Sequence, residues 1–208
     1  MYKKVISGAV YGIAGRMITV EADISCGFPS FTMVGYLASE VREARERVMT
    51  AVKNSGVSIP AKRIVVNLSP ADIRKQGTAY DLPIAVAMMA AMGAVSGRFM
   101  SETMIVGELG LEGRVRPVKG ILPLALLAKA SGIRRMIVPK ENAEEAGLAG
   151  DLCIFGVESL VEAAVCLNDE KAAAKVRTET SEKIRSKKEA EEGPDFSELL
   201  GQRSEERR

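Results

Sequence analysis

Residues 67–91 read NLSPADIRKQGTAYDLPIAVAMMAA, and this stretch decides the fold. Ile64–Leu68 (IVVNL), rich in β-branched residues, predicts a short strand. A polar loop with Arg74 and Lys75 then leads through Gly77 into a helix expected over Asp81–Val95. That helix is apolar almost all round, so it must be covered on every side rather than along one stripe. It is too short to span a bilayer. Asp81 lies in its first turn, where a carboxylate meets free N–H groups and the positive end of the helix dipole. It reads as a structural cap, with a general base or ligand carboxylate as the other reading. Arg74 and Lys75 read as exposed loop charges, either solvated or facing an anion or partner.

Outward from this centre the pattern changes. Toward the N-terminus, Val5–Tyr11, Met17–Ser25 and Phe31–Val34 read as strands. Ser39–Lys53 is amphipathic: Val41, Ala44, Val48, Ala51 and Val52 recur at helical spacing opposite Arg42, Glu43, Arg45, Glu46 and Arg47. Toward the C-terminus, strands at Met104–Val106, Arg135–Val138 and Leu152–Phe155 alternate with helices at Ile121–Ser131, Glu141–Leu148 and Ser159–Cys166. An antiparallel meander followed by strand–helix alternation predicts an α/β (α+β two-layer) domain over 1–168. Residues 169–193 mix charges of both signs with small residues and read as a flexible linker. Residues 194–208 open with PDF, as the start of a further module.

Composition narrows the chemistry. The 208 residues hold 47% hydrophobic and 27% charged residues, as a soluble globular chain does. Twenty-nine basic against 27 acidic residues leave +2, so bulk charge selects neither nucleic acid nor membrane. With no histidine, a Ser–His–Asp triad, a Cys–His pair and a His-ligated zinc are excluded. Cys26, Cys153 and Cys166 are far apart in apolar neighbourhoods and read as reduced, buried thiols of a cytoplasmic protein, not as metal ligands. No signal peptide is read at the N-terminus. GELGLEG (107–113) fits neither the P-loop nor the Rossmann pattern and reads as a turn, so ATP hydrolysis is not expected of this polypeptide. In GRVRPVKG, Arg114 and Arg116 fall on one face of an extended segment with Lys119 nearby, a phosphate-contacting pattern that Glu102, Glu108, Glu112 and Glu141 are placed to neutralise. No aromatic residue is interleaved there for stacking on bases.

The blocks VNLSPAD (66–72), YDLPIA (80–85), GELGLEGRVRPV (107–118) and PKENAEEA (139–146) resemble the N-terminal region of the magnesium-chelatase-like AAA+ proteins of the YifB/ComM group. The resemblance runs from residue 1 to Gln202, with PDFSELLGQ (194–202) similar to the opening of the AAA+ module; RSEERR beyond it strays from the family pattern. It implies a Lon-protease-like domain of the ribosomal protein S5 domain 2-like fold. Lon cleaves with a Ser–Lys dyad, and the resemblance puts those two positions at Ala79 and Leu122, neither of which offers a heteroatom. Lys75 and Lys119 are the nearest lysines to those turns. The resemblance implies a hexameric helicase that uses ATP and Mg2+ in its full-length form and drives branch migration in DNA uptake and recombination. This chain is then expected to be non-catalytic, to pack the ring, and to touch DNA or a partner through Arg74, Lys75, Arg114, Arg116 and Lys119. The alternatives are a partner-binding module of a metal-chelatase-type ATPase, or a stand-alone interaction domain.

Overall fold

The computed structural model describes residues 1–178. Strands β1 (Tyr2–Tyr11) and β2 (Ala14–Ser25) form a long antiparallel hairpin, followed by β3 (Ser30–Val34) and helix α1 (Ser39–Asn54). Strand β4 (Arg63–Ser69) leads to the buried helix α2 (Asp81–Ala91), then β5 (Thr103–Ile105) and the small hairpin of β6 (Glu108–Leu109) and β7 (Val115–Arg116). Helix α3 (Ile121–Ala130), β8 (Arg135–Pro139), α4 (Ala143–Gly147), β9 (Cys153–Val157), α5 (Leu160–Asn168), α6 (Glu170–Ala173) and β10 (Arg177–Thr178) complete the order. Eight strands make one sheet, β10-β9-β8-β5-β1-β2-β4-β3. Its β9-β8-β5-β1 half and the β4–β3 pair are parallel, and β1–β2–β4 is antiparallel.

Period-two alternation in the central strands feeds two separate cores. Met104, Met136, Val138 and Ile154 face α3 and α4. Ile105, Ile137, Phe155 and Val157 face α2 and α5. Both faces of the sheet therefore carry helices, and all five residues of β8 are buried. The mixed α/β architecture expected from the alternation is what the chain forms, with helices on both faces of the β5-β8-β9 region where two layers were expected.

Helix α1 buries Val41, Ala44, Val48, Ala51 and Val52, the stripe its periodicity marks. Helix α2 buries all eleven of its residues. Its alanines let β1, β2, α1 and α5 approach together, and Leu82 N–H is held by the Gly107 carbonyl at 3.0 Å. Close approach is also demanded at Gly15, where an added Cβ would meet the Pro123 carbonyl oxygen and Leu127 Cβ, both at 2.9 Å. Helix α3 thus lies directly on the β1–β2 hairpin.

Four expectations are corrected. Asp81 does not cap its helix: Tyr80 is the N-cap residue, without a side-chain cap bond. The fully buried Asp81 carboxylate instead accepts from Arg47 of α1, at 2.7 Å from Nε and 3.0 Å from Nη2, and from the Leu109 N–H at 3.4 Å. Lys75 is fully buried, not an exposed loop charge, because its backbone pairs with Tyr36 and Ala38 and its Nζ donates to the Pro70 carbonyl. Cys26, in the β2–β3 turn, is exposed; Cys153 is half-buried and only Cys166 fully buried. Past residue 168, where a linker was expected, α6 follows and β10 pairs with β9. Residues 179–193 of that linker and the module start at 194–208 lie outside the described residues.

Burial pushes the Asp81 carboxyl above its ordinary value, and Arg47 only partly pulls it back. Removing the arginine leaves a buried charge unpaired. Arg47→Met should therefore cost about 3 kcal/mol, the low end for a broken buried pair because Arg47 is itself 23% exposed. A raised carboxyl pKa in the folded state means that folding takes up a proton as pH falls. The gap between Arg47→Met and wild type should thus narrow as pH falls through the carboxylate range, and Arg47→Met/Asp81→Leu should recover most of the loss. Urea unfolding at several pH values checks all three. Gly15→Ala should cost about 1–3 kcal/mol by forcing α3 off the hairpin, read in the same assay.

Candidate functional site

The loops at one end of the sheet build a chain of three connected grooves. The first, of about 220 Å³, lies between the Ala9–Gly12 end of β1 and Arg74, Gln76 and Tyr80. It shares Ala9, Val10, Gln76 and Tyr80 with a second of about 360 Å³, which adds Gly77–Ala79, Glu108 and Pro117–Lys119. Pro117 joins that to a third of about 270 Å³ between Arg114, Arg116, Glu112, Glu141 and Glu158.

Local chemistry sets these walls. Asn142 grips Val118 by both backbone groups, accepting from its N–H at 2.9 Å and donating to its carbonyl at 3.0 Å. Glu145 of α4 accepts the Leu122 N–H at 3.0 Å, supplying from another element the N-terminal cap that Gly120 cannot. Gly120 takes φ +79°, and an added Cβ there would lie 2.8 Å from Val10 Cγ2. The Lys119–Gly120 turn is thereby seated against β1. Across the groove, the Thr78 hydroxyl donates to Glu108, and the Gly107 N–H to the Ala79 carbonyl at 3.0 Å, tying the 77–80 loop to β6. Tyr80 closes the floor; burial, then the nearby Tyr11, pushes its hydroxyl pKa up.

Of the expected contact residues, Arg74, Arg114, Arg116 and Lys119 are exposed along these grooves. Lys75 is not among them; burial pulls its ammonium below the ordinary lysine value, with Asp72 opposing. Ala79 lines the middle groove beside Lys119, whereas Leu122 packs into the α3 core. Thr78 brings a hydroxyl to the groove, already committed to Glu108.

The two ends differ in electrostatics. Arg116 sits 3.7 Å from Glu112, and Lys140, then Arg114, hold the Glu158 carboxyl below its ordinary range. Acids are thus denser at the Arg114–Arg116 end, although Glu40 interacts with Arg74 and Glu108 shares the groove of Lys119. At the other end the Arg74 guanidinium lies 6.0 Å from the Tyr36 ring centre, with Tyr36 53% and Tyr11 49% exposed. Arg16, opposite Ala9 in the hairpin register, is exposed on the same sheet face. Tyr11 and Tyr36 escape a sequence reading because only the folded chain brings them beside Arg74. Among the described residues no cluster of His, Cys, Asp or Glu is suited to a metal ion, and no helix is long and apolar enough to cross a membrane.

Residues 20–142 match the family model described as subunit ChlI of Mg-chelatase. The Escherichia coli protein YifB is 46% identical over 148 residues, 71% of this chain and 29% of that protein. The competence protein ComM of Haemophilus influenzae is 39% identical over 164 residues, 79% of this chain and 32% of its own length. More distantly, a Lon protease of Chloroflexus aurantiacus is 30% identical over 138 residues, 62% of this chain and 16% of the protease. The chain spans about a third of the length of the YifB and ComM relatives. The family match takes in most of the groove, from the β2 strand through α1, α2 and the 107–120 loops to Asn142, and the chain belongs to the family of the magnesium-chelatase subunit ChlI.

Proposed function

We propose that this chain is the non-catalytic N-terminal domain of a cytoplasmic, ComM-like AAA+ protein, packing its hexameric ring and contacting DNA through the Arg74–Lys119 end of the grooves. The observation that carries this reading is the grouping there of Arg74 and Lys119 with the exposed rings of Tyr11 and Tyr36. Phosphates need positive charge within reach, and unpaired bases need a flat face to stack on. Arg114 and Arg116 contribute less, because Glu112, Glu141 and Glu158 share their groove.

The chain itself does no bond chemistry in this reading. Ala79 and Leu122 have no atom to attack a carbonyl or to take a proton, and no P-loop occurs in the 208 residues. ATP and Mg2+ act in the AAA+ module of the longer protein, where hydrolysis drives branch migration in DNA recombination. The similarity to the competence protein ComM supports the link to competence. The description of the family model favours a second reading, a partner-binding module of a metal-chelatase motor. That reading expects co-purification with chelatase subunits and DNA affinity indifferent to Arg74 and Lys119.

Fluorescence anisotropy with labelled single-stranded and branched DNA, across a salt series, separates the two. Arg74→Glu/Lys119→Glu should weaken binding at low salt about tenfold or more. It should also flatten the slope of log K against log salt by about 1.4 on single strands, two phosphates' worth. Arg114→Glu/Arg116→Glu should change affinity by less than about threefold, as befits charges already neighboured by acids. Unchanged affinity in the first variant would sink the DNA assignment.

A further inference from the structure

A separate cavity of about 710 Å³ lies away from the grooves above, between α1, the N-terminal end of β3 and the 58–62 loop. Phe31, Met49 and Ile59 give it an apolar floor, and Arg45, Lys53 and Lys62 stand around it. Among the described residues no acidic side chain lines it. The cavity adjoins a sheet edge, since β3 pairs with β4 on one side and ends the strand order.

That edge lacks the usual protection. Exposed edge strands are commonly guarded by lysine, proline, a bulge or shortness. Ser30-Phe31-Thr32-Met33-Val34 carries no charge and no proline, whereas the opposite edge, β10, is two residues long and includes Arg177. The Ser30 N–H donates to the Lys62 carbonyl of the inner neighbour at 3.4 Å. By the two-residue period of a strand, the N–H groups of Phe31 and Met33 then point outward, free for a further strand. Phe28, 89% exposed, and Val34 flank the edge.

We propose that the β3 edge and its cavity bind an extended, acidic segment of a partner protein, which adds a strand to the sheet and sets an apolar side chain against Phe31 and Met49. Backbone pairing supplies affinity and the alternate side chains supply selectivity. Charge picks the occupant. Two copies of this chain paired edge to edge would bring their Arg45, Lys53 and Lys62 sets together, whereas glutamates or aspartates at alternate positions of an incoming strand meet all three. The site is separate from Arg74 and Lys119 and does not depend on the DNA reading.

The test is to pan a displayed library of random decapeptides on the full chain, then titrate the selected peptides, fluorescein-labelled, by anisotropy. The selected pool should alternate Asp or Glu with Phe, Leu or Val. Binding should weaken about tenfold or more in Arg45→Glu/Lys62→Glu, whose substitutions are at exposed positions and whose thermal unfolding should match wild type. Val34→Glu should weaken it and Val34→Lys should not. Hydrogen exchange of the Phe31 and Met33 amides should slow when peptide is bound. A pool with no acidic excess, no saturable binder, or binders indifferent to Arg45→Glu/Lys62→Glu would overturn the proposal. So would concentration-dependent dimerisation that protects the same two amides without peptide, since a second copy would then hold the edge.

Discussion

A helix with no solvent-facing side cannot be stabilised by one neighbour, and α2 imposes that constraint on everything else. All eleven of its residues are buried, so the hairpin, α1, α5 and the 107–109 segment must each cover part of it. Apolar surface removed from water contributes roughly 25 cal/mol per Å². The contribution is lost piecemeal if any covering element lifts, so the alanines of α2 act as the centre on which the sheet and three other segments are registered. The single charge on this helix, Asp81, is tolerable only because Arg47 reaches it from α1.

The same registration builds the grooves. The loop entering α2 is the groove's wall at Gly77–Ala79, and the segment that holds Leu82 continues as Glu108. On the far side, Asn142 and Glu145 hold the turn that carries Lys119. The positions that the Lon resemblance marks for a dyad, Ala79 and Leu122, are thus on well-fixed backbone with inert side chains.

Much of the fold was legible from periodicity. Val41, Ala44, Val48, Ala51 and Val52 mark the buried face of α1, and the apolar run from Leu82 marks a helix without an exposed face. Side-chain fates that depend on tertiary neighbours were not legible. Lys75 looks like any loop lysine until Tyr36 and Ala38 pair with its backbone and draw it inside. Asp81 satisfies every local criterion for a cap, but a guanidinium 34 residues away outcompetes its own helix N–H groups. Cys26 follows the buried Ile24 in sequence but lies past the end of β2, in the exposed connection to β3. Arg135, which opens a strand in the sequence, lies buried between the rings of Phe99 and Phe155, its centre 4.2 and 4.6 Å from theirs, donating to the last turn of α5 at Cys166. The groove's charges were visible as residues, but the pairing of Arg74 with Tyr36 and the crowding of acids around Arg114 and Arg116 needed three dimensions.

Because β5, β8 and β9 supply both cores by strict alternation, their tolerance to sequence change is lopsided. Met104 and Ile105, Met136 and Ile137, or Ile154 and Phe155 exchange cores if the chain slips by one position. A point substitution disturbs one side of the sheet, but a single-codon insertion or deletion inside any of these strands inverts both sides at once. Length variation in this lineage should therefore collect in the turns between elements, while the spacing within these three short strands stays frozen even as their side chains drift.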